Sequence, residues 1–161
     1  MEFNEEKLED TNEQYVELYS KKAIIGFSAI FNVMFGGALL VINMWVAGYK
    51  KDAYQVIVFS VLYHFLSLFL VGMSGITVNP EVLNRASSGK QITPTEMIPF
   101  FSVFALTLVI NLIGGLILTR LFYKRCFPED DYYPKPILQA IMVALLVSLV
   151  FGFILKSVVH F

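Results

Sequence analysis

Residues 53–78, AYQVIVFSVLYHFLSLFLVGMSGITV, decide the fold of this chain. They fall inside 28 consecutive residues, between Asp52 and Glu81, that include no Asp, Glu, Lys or Arg. An α-helix rises ~1.5 Å per residue, so ~20 apolar residues cross the ~30 Å hydrocarbon layer of a bilayer. The stretch therefore predicts a transmembrane helix.

Three further uncharged intervals are also long enough to cross a bilayer. They contain 27 residues between Lys22 and Lys50, 23 between Glu96 and Arg120, and 20 between Lys135 and Lys156. We expect four transmembrane helices, over about 23–48, 53–78, 97–123 and 136–159. The short link between the first two helices forces them into an antiparallel pair. The predicted fold class is all-α: a polytopic membrane protein whose four transmembrane helices form two antiparallel hairpins.

The composition agrees with a membrane protein and excludes several functional classes. Hydrophobic residues make up 57% of the chain and the mean hydropathy is +0.66, above the range of soluble domains. Twelve basic and thirteen acidic residues give a net charge of -1, which argues against nucleic-acid binding. Because Cys126 is the only cysteine, an internal disulfide and a multi-cysteine metal site are excluded. We predict no metal ion, no cofactor and no catalytic residue set.

The first 22 residues form a separate acidic segment. Their seven acidic residues and three lysines resemble neither the basic start nor the short apolar core of a cleavable signal peptide, so we expect the first span to be retained. We predict a juxtamembrane segment over 1–22 and a four-helix transmembrane domain over 23–161. The juxtamembrane segment is either a solvated helix or a docking element for a partner.

Polar residues predict how the second and third spans are joined. Residues 79–93 are the longest polar connection between spans, and we expect them to form a flexible loop. The sequence Thr93-Pro94-Thr95-Glu96 then predicts a helix start. Thr93 is suited to the N-cap position, and Glu96 completes a capping box.

The two halves of the chain resemble each other weakly. Gly36-Gly37 in the first span corresponds to Gly114-Gly115 in the third at an offset of 78 residues, and the second and fourth spans match at an offset of 84. One interpretation is an internal duplication with a pseudo-twofold axis along the membrane normal. The other is chance matching of apolar sequence. In either case these glycines are predicted to allow close packing of helices.

Aromatic residues indicate an interface, whereas basic residues leave the orientation undetermined. Six aromatic residues near the first and third loops predict an interfacial belt at one face: Trp45, Tyr49, Tyr54, Tyr123, Tyr132 and Tyr133. Tyr15 and Tyr19 are predicted to lie at the opposite face. Four spans would place six basic residues on each face, so the positive-inside rule gives no orientation. The face of the N-terminus would hold Lys7, Lys21, Lys22, Arg85, Lys90 and Lys156.

One polar residue lies near the middle of each predicted span. These residues are Asn32, His64, Asn111 and Ser148. Polar side chains are disfavoured against lipid, so we expect them to face the interior of the bundle as one midplane layer. His64 is the only ionisable residue deep in a span and is therefore the default functional candidate. It is either a proton-coupled transport site or a neutral hydrogen-bonding group that fixes helix register.

No recognisable reaction centre accompanies this layer. We expect a small integral membrane protein of non-catalytic accessory, structural or interaction type. Its partners would be the lipid bilayer and either another membrane protein or further copies of itself. The alternative is a small oligomeric transporter or channel that uses the polar layer around His64. An enzyme is not expected, because Ser60 and His64, one helical turn apart, have no orienting carboxylate. The build resembles that of many short four-span proteins of bacterial inner membranes, which is the expected location.

Overall fold

Six helices and two short strands form the described part of the chain. The computed structural model describes residues 16–128 and 132–159, with side chains in the last helix up to residue 150. The helices are α1 (Lys21–Ile30), α2 (Val33–Val46), α3 (Lys50–Met73), α4 (Pro80–Ser87), α5 (Pro94–Cys126) and α6 (Leu138–Val159). The strands are β1 (Glu17–Leu18) and β2 (Tyr133–Pro134), which pair in parallel. Helix α5 is π-helical over Leu118–Tyr123.

Helices α3 and α5 are long and apolar enough to cross a membrane. They contain 24 and 33 residues, which correspond to lengths of ~36 and ~50 Å. Few side chains of α3 are buried, namely Ala53, Val56, Ser60 and Ser67. The other faces of α3 are apolar and are left largely exposed by the described residues. These two helices occupy the spans predicted over 53–78 and 97–123, although α3 ends at Met73.

The segment predicted as the first span, 23–48, is not one helix. Helix α1 ends before Phe31, and α2 then runs back alongside it. The backbone N–H of Tyr19 donates to Oδ1 of Asn43 at 2.8 Å, and Nδ2 of Asn43 donates to the carbonyl oxygen of Tyr19 at 2.8 Å. A continuous helix would separate these two residues by ~36 Å. The structure therefore replaces the predicted span with a pair of short helices, α1 and α2, which we call the N-terminal hairpin.

Asn32 accounts for the break between the two short helices. Its backbone is extended, and its Oδ1 accepts hydrogen bonds from the amides of Met34 at 2.9 Å and Phe35 at 3.4 Å. The first amides of a helix have no partner within that helix, and an N-cap side chain that accepts from them is worth ~1 kcal/mol. Asn32 is thus the N-cap of α2, a role that its position in the middle of an apolar stretch did not suggest.

Four glycines lie where helices cross closely. They are Gly36, Gly37, Gly114 and Gly115. A Cβ atom on Gly36 would lie 2.6 Å from the backbone oxygen of Ile24, across the N-terminal hairpin. A Cβ atom on Gly115 would lie 2.8 Å from the Cβ of Ser28, where α5 crosses α1. Gly37 and Gly114 both pack against side chains of α3. At each of these crossings a Cβ atom would force neighbouring atoms to shift, and at Gly36 the atom in the way is a backbone oxygen.

The connection between α3 and α5 is partly helical. Residues 79–93, predicted as a flexible loop, contain α4, which Asn79 caps through its side chain. The helix start predicted at Thr93 is confirmed: Oε2 of Glu96 accepts a hydrogen bond from the backbone N–H of Thr93 at 2.9 Å, and both halves of the capping box are present. Arg85 of α4 forms an ion pair with Glu96. These contacts join α4 to the first turn of α5.

The two halves of the chain differ in backbone structure. Gly36 and Gly37 lie in the second helix of a short hairpin, whereas Gly114 and Gly115 lie well inside the 33-residue helix α5. The similarity of the two sequence halves therefore does not extend to the fold. The arrangement as two equal hairpins is replaced by one short hairpin and three longer helices, α3, α5 and α6.

Tyr19 lies at the same end of the bundle as the aromatic residues of the first and third loops. Nζ of Lys135 lies 5.4 Å from the centre of the Tyr19 ring. At the same end, the rings of Tyr49 and Phe127 meet edge to face with their centres 5.6 Å apart. The expectation that Tyr19 lies opposite this belt is therefore wrong, because the N-terminal hairpin returns the chain to its starting side. Tyr15 lies outside the described residues.

Candidate functional site

A cavity of about 590 Å³ lies between α2, α3 and α6. Its polar lining consists of Asn32, His64 and Ser148. The remaining lining residues are Met34, Phe35, Ala38, Val147 and Gly152. Three of the four residues predicted for the polar layer therefore border one space.

Helix geometry brings these three residues to a similar depth. His64 lies 14 residues beyond the first residue of α3, a rise of ~21 Å. Ser148 lies 10 residues beyond the first residue of α6, a rise of ~15 Å. Asn32 follows the last turn of α1, ~16 Å from the start of that helix. Because α1, α3 and α6 all begin at the same end of the bundle, the three residues meet at mid-height.

The residues that line the cavity include hydrogen-bonding groups but no carboxylate. Oδ1 of Asn32 already accepts two backbone amides, so its Nδ2 is the group that can donate to a ligand. His64 is half-buried and has one ring nitrogen to donate and one to accept when neutral. The hydroxyl of Ser148 can do both. A few polar groups in a mostly apolar cavity suit a small neutral or amphipathic molecule.

Asn111, the fourth residue of the predicted layer, lies elsewhere. It is buried on α5 and does not line the cavity. Its neighbour Ile110 accepts a hydrogen bond from the hydroxyl of Tyr63 at 2.8 Å. Asn111 therefore lies in the packed part of α5, one turn before Gly114 and Gly115, and outside the cavity.

Ser60 and His64 do not work as a pair. Ser60 is buried beneath Gly37, and its Oγ has no hydrogen-bond partner among the described residues. It lines a separate cavity of about 290 Å³ between α2 and α3. A nucleophile and its base must approach within hydrogen-bonding distance, and these two side chains instead face different spaces.

Asn43 has a role that the sequence did not reveal. It is 1% exposed, and it pairs with both backbone polar groups of Tyr19, 24 residues away. An asparagine in an apolar helix is expected to satisfy its amide against another buried group. That general expectation was available from the sequence, but the partner was not, because the fold-back at Asn32 brings it there.

The described residues form no metal centre, and comparison with known proteins assigns the chain to no family. Within 16–128 and 132–159, no three side chains of His, Cys, Asp or Glu lie close enough to hold a metal ion. No family model, curated protein or solved structure matches this chain.

Proposed function

We propose that this chain is a multi-pass integral membrane protein of non-catalytic accessory or interaction type, located in a bacterial inner membrane. The observation that carries the proposal is the exposed apolar surface of α3, where Leu62, Phe65 and Phe69 are 64%, 64% and 61% exposed. Burying a side chain of this kind is worth ~1.5–3 kcal/mol, so leaving a helix-long surface of them in water would be costly. Lipid is the surrounding that removes this cost.

The lengths of the helices support three crossings rather than four. Helices α3, α5 and α6 contain 24, 33 and 22 residues, each enough to cross ~30 Å of hydrocarbon. Helices α1 and α2 contain 10 and 14 residues and rise only ~15 and ~21 Å. The N-terminal hairpin would therefore enter from one face and return to it. Irregular backbone at membrane depth requires protein around it, and the apical residue Val33 is fully buried.

The remaining apolar surface supports an interaction role. Helix α6 exposes Leu145, Leu146 and Leu149, and it makes few close backbone contacts with the rest of the described chain. Such a face suits lipid tails, a second copy of the chain or another membrane protein. A catalytic role finds no support in the paired groups described above.

Two measurements test this proposal. In bacterial cells that express the chain, alkaline extraction of membranes should leave it in the membrane fraction, whereas its recovery as a soluble monomer would overturn the membrane assignment. Purification from native membranes in mild detergent, followed by mass spectrometry, should give a defined oligomer or a stoichiometric membrane-protein neighbour. A monomer that by itself carries a flux in proteoliposomes would contradict the accessory role.

A small transporter or channel is the second candidate, favoured by the gathering of Asn32, His64 and Ser148 around one cavity. His64→Leu should then abolish a flux in proteoliposomes while the oligomeric state and melting temperature are retained. Phe65→Leu, at an exposed neighbouring position, is the matched control and should keep the flux. If His64→Leu only lowers stability, or if its flux equals that of the native chain, the polar layer around His64 is not a transport path.

A further inference from the structure

Basic residues are concentrated at one end of the bundle. Of the ten basic side chains that the structure describes, eight lie where α1 and α3 begin, where α5 ends and between β2 and α6. They are Lys21, Lys22, Lys50, Lys51, Arg120, Lys124, Arg125 and Lys135. We call this surface the basic end.

Direct contacts show that these segments meet. Nε of Arg125 lies 3.8 Å from Oδ1 of Asp52, which joins the end of α5 to the start of α3. Nζ of Lys21 lies 5.3 Å from the centre of the Tyr123 ring, which joins the start of α1 to α5. The pairing of β1 with β2 joins the entry to α1 with the segment before α6. The basic end is therefore one continuous surface rather than separate charged loops.

The N-terminal hairpin creates this asymmetry. Four complete spans would place Lys21 and Lys22 on the face opposite Lys50 and Lys51, and each face would then carry six basic residues. Because α1 and α2 return to the same side, all four lysines share one end. Among the described side chains, that end carries eight basic and two acidic residues, whereas the opposite end carries two of each.

The opposite end offers little free positive charge. Of the two basic side chains described there, Arg85 is paired with Glu96, and Lys90 is the other. The positive-inside rule counts basic residues near the ends of spans, and acidic residues contribute little to it. Nine further acidic residues in 1–15 and 129–131, outside the described residues, therefore do not alter the assignment. Lys156, near the end of α6, raises the opposite end to three basic residues, against eight at the basic end.

We propose that the basic end is an interaction surface for the anionic lipid headgroups of the cytoplasmic leaflet. This inference rests on the proposed membrane location. Lys22, Lys50, Lys51, Lys124 and Arg125 are exposed there and can reach headgroup phosphates. Exposed Trp45, Tyr49 and Tyr54 lie beside them, at the level where aromatic rings favour the interface. The chain is thereby oriented with residues 16–20 and the α2–α3 link in the cytoplasm and the end of α6 on the opposite side.

Sidedness is tested by single cysteines in a Cys126→Ser background. Lys22→Cys, Lys51→Cys and Ser88→Cys place one thiol in α1, in α3 and in the turn after α4, all at exposed positions. In intact cells a membrane-impermeant maleimide should label only Ser88→Cys. Lys22→Cys and Lys51→Cys should react after the membrane is opened. Labelling of Lys22→Cys together with Ser88→Cys would refute the shared basic end, and equal labelling of all three in intact cells would refute the membrane location itself.

The lipid partner is tested with the single tryptophan of the chain, Trp45, which reports on the basic end. The protein is reconstituted into phosphatidylcholine vesicles that contain brominated phosphatidylglycerol or, in a parallel series, brominated phosphatidylcholine. Anionic lipid should quench Trp45 more strongly at equal mole fraction. A preference of about fivefold is expected from each basic residue that contacts a headgroup, and it should decrease as salt is raised.

Paired variants separate this surface from general membrane insertion. Lys50→Gln with Lys51→Gln should reduce the preference for anionic lipid, and Arg85→Gln with Lys90→Gln, at the opposite end, should leave it unchanged. If a variant fails to fold, the salt series on the native chain still shows whether the preference for anionic lipid is electrostatic. Equal quenching by both lipids at low salt would overturn the lipid surface while leaving the membrane location in place.

Discussion

Asn43→Leu is the substitution that most sharply tests how the N-terminal hairpin is held. Asn43 is 1% exposed and makes two hydrogen bonds of 2.8 Å to the backbone of Tyr19. Leucine has the same number of side-chain heavy atoms, branched in the same way, so it is the closest apolar replacement and removes both hydrogen-bonding groups. The N–H and the carbonyl oxygen of Tyr19 would then be buried without hydrogen bonds.

The expected loss follows from these two groups. Each buried polar group left unpaired costs ~1–3 kcal/mol, so the variant should lose ~2–6 kcal/mol of unfolding free energy. Reversible unfolding in mixed micelles measures the unfolding free energy. Amide hydrogen exchange at Tyr19 reports directly on the two hydrogen bonds between Tyr19 and Asn43, which we call the clamp.

Asn84→Leu is the matched control for this prediction. Asn84 is an exposed asparagine of α4, and a surface substitution of this kind should change stability by less than ~0.5 kcal/mol. If Asn43→Leu is as stable as the native chain and the Tyr19 amide stays protected from exchange, the clamp does not hold the hairpin and the reasoning is refuted.

Three further substitutions test the packing of the bundle. Gly36→Ala should lower the unfolding free energy by ~1–3 kcal/mol in the same assay, because its Cβ would lie 2.6 Å from a backbone oxygen. Gly72→Ala, which has open space around it, should be neutral or stabilising, and equal effects of the two variants would contradict the close crossing. Asn32→Ala should cost ~1 kcal/mol by removing the cap of α2, and an unchanged melting temperature would argue against that role. Tyr63→Phe should cost ~0.5–1.5 kcal/mol through loss of the hydrogen bond to Ile110, and a gain in stability would show that the bond is not made.

Local patterns in the sequence predicted the long helices well. The run over 53–78 is apolar on every side, and no tertiary contact is needed to recognise it as a membrane-length helix. The start of α5 at Thr93 was equally readable, because a capping box is formed by residues three apart. Such features depend only on neighbours within a turn or two.

The N-terminal hairpin escaped prediction because its cause is partly distant. The prediction over 23–48 rests on a count of apolar residues. Such a count does not detect the helix break at Asn32, because no proline or charged residue marks it. Asn32 is a common N-cap residue type, yet a single asparagine in an apolar run fits a mid-membrane packing role equally well. What decides between them is the clamp between Tyr19 and Asn43, two residues 24 positions apart.

The polar residues show the same limit. Depth along a helix follows from sequence position, and Asn32, His64 and Ser148 indeed border one cavity at mid-height. The side of the helix on which each residue lies depends on how the helices pack. Asn111 is instead buried in the packed part of α5, where Gly114 and Gly115 bring that helix against α1, α2 and α3.

The fold-back of the N-terminal hairpin is the central claim, and one distance tests it most directly. Spin labels at Lys22→Cys and Lys51→Cys, in a Cys126→Ser background reconstituted in lipid, can be measured by double electron–electron resonance. The hairpin predicts a separation below about 25 Å, because both labels lie at the basic end, and a continuous helix over 23–48 predicts about 40 Å. A distance distribution centred near the longer value would contradict the account.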